Sequence, residues 1–271
     1  MRAARVLAGA AVLSAALGGC APRPVATAPT RAPTVAAPLA TSTVSGPSAP
    51  PVPWASPVVV LDPGHNGANG ENPAFVNRLV PDGRGGTKAC NTTGTSTDAG
   101  YPEHTFAFDV AGRVTQRLTA AGVRVVSTRA ADDGVGPCVD ERGRAGEVAD
   151  ADAVVSIHAD GSAPGNSGFH VAMSDPAVNA VQDGPARQLA VALRDAMRTA
   201  GFPDADYIGR DGLSPRSDLA GLNHATRPAA LVECANMRNP TEAALVSTPE
   251  GRDRYAAAIT AGVLAFLGLP S

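Results

Sequence analysis

The chain has 271 residues, 44% of them hydrophobic, enough for a sizeable core in one or two domains. A formal net charge of −3 argues against nucleic acid as a partner. An aromatic content of 4% leaves no sugar-stacking module of usual size.

Met1-Arg2-Ala3-Ala4-Arg5 is a basic start, and Val6 to Leu17 is an apolar run too short to span a bilayer as a stable helix. Leu17-Gly18-Gly19-Cys20 ends it with small residues before a cysteine. Residues 1–20 therefore read as a secretory signal peptide, which places the protein outside the cytoplasm, in the cell envelope. The last four residues resemble a bacterial lipobox, so Cys20 is a candidate for lipidation and membrane anchoring; the alternative is an ordinary signal peptide with a chance cysteine. Residues 21–56 are nearly all Ala, Pro, Thr, Ser and Val, with no periodic apolar face. Such a segment cannot offset its ordering entropy by burial and is expected to be a disordered tether. One folded domain is expected over 57–271. No internal repeat and no second membrane-length apolar run is present.

Val58-Val59-Val60-Leu61 reads as a buried strand, stopped by the turn residues Asp62-Pro63-Gly64. His65 then stands just past the strand's C-terminal end, where open α/β sheets bind ligands. A neutral imidazole there suits a metal; the bland alternative is a solvated loop histidine. Residues 66–101 are rich in Gly, Asn, Thr and Asp, with turn or hairpin signals at Asn69-Gly70, Asp82-Gly83 and Gly85-Gly86. A connection this long is functional or disordered, and here it is placed as a cleft wall.

Pro102 opens a helix in which Phe106, Val110, Val114 and Leu118 recur at helical spacing up to Gly122. Glu103 sits in its first turn, either as a favourable charge against the helix dipole or as a metal carboxylate on a rigid element. Val123 to Thr128 reads as a mostly buried strand and Val139 to Ala149 as a helix. Ala153-Val154-Val155-Ser156-Ile157 is the next buried strand, followed by His158-Ala159-Asp160. Gly168 to Met173 suits another strand, Pro185 to Ala200 an amphipathic helix, and Ala229 to Cys234 a last apolar strand carrying Glu233 near its end. Thr241 to Val246 and Pro249 to Leu267 read as closing helices. The alternation predicts an α/β fold: a single domain with a mostly parallel twisted central sheet and helices on both faces.

Of the four cysteines, Cys20 lies outside the fold and Cys234 lies in an apolar strand as a buried thiol. Cys90 and Cys138, both in loop-like sequence of an exported domain, are the expected disulfide.

Two histidines at strand ends and two glutamates on further elements make an economical hydrolytic metal site. Zinc takes three protein ligands and keeps one position open, and a second carboxylate serves as proton carrier. The pieces Leu61-Asp62-Pro63-Gly64-His65, Glu103, Gly122-Val123-Arg124-Val125 with Thr128-Arg129, Arg142, Ser156-Ile157-His158-Ala159-Asp160, and Leu231-Val232-Glu233 with Asn239-Pro240 come in the order of a known family. Over about 57–268 the chain resembles the zinc-dependent N-acetylmuramoyl-L-alanine amidases of the Amidase_3 type. The resemblance implies Zn²⁺ held by His65, Glu103 and His158, with Glu233 as the catalytic acid–base. It implies hydrolysis of the amide between N-acetylmuramic acid and L-alanine of the stem peptide by a zinc-activated water. Peptidoglycan or its fragments are the implied partner, and the protein is expected to be a monomer. Cys234-Ala235 stands where the family often has Gly-Phe, and His104, His170 and His224 match no role. Competing readings are a zinc peptidase or deacetylase on cell-wall substrate, and a non-catalytic peptidoglycan-binding lipoprotein. Glu233 also has a structural alternative, pairing with an arginine such as Arg129.

Overall fold

Runs of β-branched residues flanked by Gly, Pro and Asp become the strands of one twisted sheet. In the computed structural model, residues 56–270 are described. The expected signal peptide, Cys20 and all of the expected tether but Ser56 lie outside the described residues.

In chain order the elements begin with β1 (Val58–Pro63), α1 (Pro73–Val76), β2 (Leu79–Pro81), β3 (Thr87–Ala89), α2 (Glu103–Ala120) and β4 (Arg124–Ser127). They continue with α3 (Val139–Val148), β5 (Ala153–Asp160), β6 (His170–Ser174), α4 (Ala180–Asp183) and α5 (Pro185–Thr199). The last are β7 (Leu213–Arg216), α6 (Ala220–Asn223), β8 (Ala229–Asn236), α7 (Pro240–Val246) and α8 (Pro249–Leu267). Six strands form the sheet in the order β4-β1-β5-β8-β6-β7, while β2 and β3 make a separate antiparallel hairpin. The four strands from β4 to β8 are parallel, and β6 enters antiparallel to β8. The α/β class, the mostly parallel sheet and the covering of both faces are as expected.

Alternation along each strand decides what faces where. Val59, Leu61, Val155, Ile157, Ala230 and Val232 join the large core under α2, α5 and α8. Val58, Val60, Val154, Ala229 and Leu231 face the other way, toward the smaller cover of α3 and α6. His158 lies between Ile157 and Ala159, and Glu233 between Val232 and Cys234, so both project on this second, thinly covered face.

Three details differ from the sequence reading. Val125 and Val126 are only half-buried and Arg124 and Ser127 are exposed, because β4 is an edge strand paired with β1 alone. His158 is not beyond its strand but inside β5, at a position registered with Glu233 of β8. The short strand at Leu213–Arg216 was not anticipated; Pro215 masks it, and an edge position tolerates that proline.

The Cys90–Cys138 disulfide is present, with Cα atoms 4.4 Å apart, and Cys234 is a buried free thiol. The bridge fastens the β2–β3 hairpin segment to the start of α3. Among the described residues, no helix is long and apolar enough to cross a membrane.

Candidate active site

His65 is held by its backbone first. The Gly64 N–H donates to the Ile157 carbonyl (2.9 Å), which carries the chain off the end of β1 toward β5. A Cβ at Gly64 would stand 2.2 Å from Cε1 of His158, so the approach of turn and ring requires glycine. His65 itself adopts a left-handed φ of 56°, a conformation that costs on the order of 1 kcal/mol in a side-chain-bearing residue.

Arg142 and Arg129 hold this turn in place. Arg142 is buried and donates to the carbonyls of Pro63 (2.7 Å), His65 (2.6 Å), Gly136 (3.0 Å) and Pro137 (3.0 Å), and to Oδ1 of Asp62 (2.6 Å). Arg129 donates to the carbonyls of Pro63, Gly64 and His104 and pairs with Asp132 at 2.8 Å. Asp62 also accepts from Thr128 (2.6 Å) and Ser156 (2.6 Å). Burial opposes ionisation of Asp62, yet Arg142 and the two hydroxyls win and hold its carboxyl at about 2. Asp62 and Arg142 are functional supports that motif reading did not assign. The available signal is an acid and a base in otherwise apolar elements, where each demands a partner.

The imidazole of His65 has Nδ1 at 3.0 Å from the Thr92 carbonyl, which leaves Nε2 pointing at Oε1 of Glu103, 3.2 Å away. Glu103 is the first residue of α2, behind an extended Pro102, and is buried. Its Oε1 meets Nδ1 of His158 at 2.8 Å and accepts from the Ala159 N–H at 3.2 Å; its Oε2 accepts from the Thr95 N–H at 2.9 Å. Burial alone would raise this carboxyl. The two imidazoles, with their hydrogen bonds, instead hold it well below the usual carboxylate range, while Glu103 raises His65 against the opposing effect of burial. The two rings meet edge to face, centroids 4.9 Å apart. One ligating atom each from His65, Glu103 and His158 lies within 4.8 Å of the others. Two imidazoles and one carboxylate, with His65 and Glu103 braced by main-chain groups, form a donor set suited to zinc. The structure thus gathers the three metal residues read from sequence.

Glu233, the fourth, faces the same cleft from β8, registered with His158 on one side and His170 on the other. It keeps partial exposure, but its Oε2 is buried with no hydrogen-bond partner. Arg129 is spent on Asp132 and main-chain carbonyls, so it is not the partner of Glu233. Burial, then the Glu103 and Asp160 carboxylates, push the Glu233 carboxyl well above its ordinary range, with Arg216 opposing. Asp160 accepts from Tyr207 (3.1 Å) and lies 3.5 Å from Nε2 of buried His170. These three neighbours of the acid were not anticipated, because they come from β5, β6 and a loop that only the sheet order brings together. His104 bonds to Asp132 and His224 to the Pro81 carbonyl; both stand apart from the three-residue cluster.

The four residues open onto a cleft of about 530 Å³, the size of a small-ligand site. It runs from the cluster along the thinly covered sheet face, over Ser156, Leu231 and Ala229, between α3, α6 and the hairpin.

Comparison with known proteins agrees with this geometry. The family model Amidase_3, N-acetylmuramoyl-L-alanine amidase, matches residues 59–265. The chain is 50% identical over 228 residues to the N-acetylmuramoyl-L-alanine amidase Rv3717 of Mycobacterium tuberculosis, covering 84% of this chain and 93% of that one. The crystal structure of the N-acetylmuramyl-L-alanine amidase Ami1 from Mycobacterium smegmatis aligns with a TM-score of 0.77 at 53% identity, covering 79% of this chain and 98% of the other. The apo form of Ami1 from Mycobacterium abscessus gives 0.76 at 52%, covering 79% and 99%. With the His-Glu-His cluster at the end of a six-stranded α/β sheet, these matches establish that the chain belongs to the Amidase_3 family of N-acetylmuramoyl-L-alanine amidases.

Proposed function

We propose that the chain cleaves the amide between the lactyl group of N-acetylmuramic acid and L-alanine, with zinc held by His65, Glu103 and His158 and with Glu233 as the acid–base. The observation that carries this reading is one cleft end where two imidazoles and a carboxylate converge beside a second, unpartnered carboxylate. Zinc, when bound, polarises the scissile carbonyl and makes water more acidic. Glu233 then accepts a proton from the attacking water. As the C–N bond breaks it passes that proton to the alanine nitrogen, leaving a muramic acid carboxyl group and a free amine. A carboxyl with elevated proton affinity suits both halves of that transfer. The Thr92 carbonyl beside Nδ1 of His65 leaves Nε2 as the nitrogen that would hold the metal.

Peptidoglycan lies outside the cytoplasmic membrane, in keeping with an exported chain. We place residues 1–20 as its signal, 21–56 as a tether and 57–271 as a catalytic domain that works as a monomer, with lipid on Cys20 as the anchor. The supporting features are the basic start, the short apolar run and the Leu17-Gly18-Gly19-Cys20 ending. Digestion of purified peptidoglycan followed by mass analysis tests the activity. Stem peptides with a new L-alanine amine are expected, lost on chelation and restored by zinc. Release of acetate or of D-alanine instead would indicate a deacetylase or a peptidase, and no release at all a binding protein.

A further inference from the structure

The sequence contains one lysine, Lys88, and it lines the catalytic cleft. It lies on β3 directly opposite Val80, so the two side chains leave the hairpin on the same side. Val80 is buried against the body of the domain, whereas its neighbour Leu79 is 70% exposed on the outer side. Lys88 therefore stands on the cleft side of the hairpin, half-exposed at the rim of the cleft.

Its N–H groups are not all used there. The ammonium donates to the Asp218 carbonyl at 2.6 Å, which uses one of three N–H groups. The Asp218 carboxylate is occupied by both arms of Arg216, at 2.7 and 2.6 Å. Among the described residues no carboxylate lies within 4.0 Å of Lys88. The one arginine lining the cleft, Arg142, has all five N–H groups spent on Asp62 and four carbonyls. Among the described residues that line the cleft, Lys88 is thus the one lysine or arginine with free donors.

Distance from the reaction centre is bounded by the chain itself. Lys88 stands four positions before Thr92, whose carbonyl touches His65. At about 3.3–3.6 Å per residue, the two Cα atoms are at most roughly 14 Å apart, the length of about four extended peptide residues.

Resting on the amidase reading above, we propose that Lys88 is a specificity-determining residue that binds a carboxylate within the first residues of the stem peptide. The chemistry singles out the peptide side. In the intact substrate the muramic acid carboxyl is consumed in the scissile amide and the N-acetylated sugars are neutral. Any carboxylate near the bond therefore belongs to the peptide.

The test compares an N-acetylmuramoyl tetrapeptide bearing free carboxylates with the same compound converted to its carboxamides. The wild-type protein should favour the acid form by about tenfold or more in kcat/KM, mainly through KM, as a charge-assisted hydrogen bond allows. The preference should shrink at high salt. In Lys88→Met the ratio should fall close to one, and Lys88→Arg should keep most of it. Should Lys88→Met fold poorly by melting temperature, acetylation of the wild-type protein at its only side-chain amine supplies the same loss of charge. An unchanged ratio after either treatment overturns the role of Lys88 while leaving the amidase reading intact. Failure of the wild-type protein to cleave either compound removes both.

Discussion

Replacing Arg142 by alanine tests whether the turn carrying His65 is held by one buried charge pair. The guanidinium and the Asp62 carboxylate are almost wholly buried, and their contact is 2.6 Å. The substitution leaves Asp62 with only the Thr128 and Ser156 hydroxyls and releases four carbonyls, that of His65 among them. Removing one member of a buried pair costs about 3–5 kcal/mol, against roughly 5–15 kcal/mol for a whole domain. At about 2–4 °C per kcal/mol for a domain of this size, the melting temperature should fall by roughly 6–20 °C, and zinc content should fall with it.

The sign with pH follows from Asp62. Its carboxyl is depressed to about 2 in the fold, so its contribution is complete above about pH 4 and is lost as the pH falls through 2. In the variant, burial without Arg142 raises the same carboxyl, and protonation relieves it at a higher pH. The stability gap between wild type and variant, measured by urea unfolding, should therefore narrow steadily from pH 7 toward pH 3. A gap below about 1 kcal/mol at pH 7, or one that stays constant on acidification, would refute the reasoning.

Three further variants address the frame around the site. Replacing Cys90 and Cys138 together by serine opens a link across a sequence separation of 48 and should cost about 2–4 kcal/mol in urea unfolding; an unchanged midpoint would mean the hairpin is held without it. Gly64→Ala sets a methyl group 2.2 Å from the His158 ring, and Gly94→Ala sets one 2.8 Å from Glu103 Oε2 at a φ of 78°. Both should reduce zinc content by more than half at equal protein concentration, and full occupancy in either would show the cradle to be looser than described.

Much of this site was legible because its residues end apolar strands or begin a helix. Val58 to Leu61 fixes where His65 must emerge, and Pro102 fixes the first turn that presents Glu103. The pairing of Cys90 with Cys138 followed from eliminating the other two cysteines. What was not legible depends on strand order. Asp160, His170 and Tyr207 gather around Glu233 only because β6 enters antiparallel beside β8, and nothing local in Gly168 to Met173 specifies that neighbour. The role of Arg142 was hidden for a similar reason, since its partners lie 77 to 80 residues away across β1 as well as in the adjoining loop. Exposure of β4 depended on its being an edge, which a run of valines does not reveal.

The separation between metal ligand and proton carrier is tested most directly by Glu233→Gln, with zinc content, melting temperature and turnover measured on one sample. The amide keeps the volume and removes the charge. Because burial disfavours an ionised Glu233, loss of its charge should leave the melting temperature unchanged or raise it. His65, Glu103 and His158 remain, so zinc should stay bound at wild-type stoichiometry. Turnover should fall by roughly 10²–10⁴-fold, the contribution of a positioned acid–base. A folded, zinc-loaded variant that turns over at near the wild-type rate would contradict the account, as would a variant that loses its zinc.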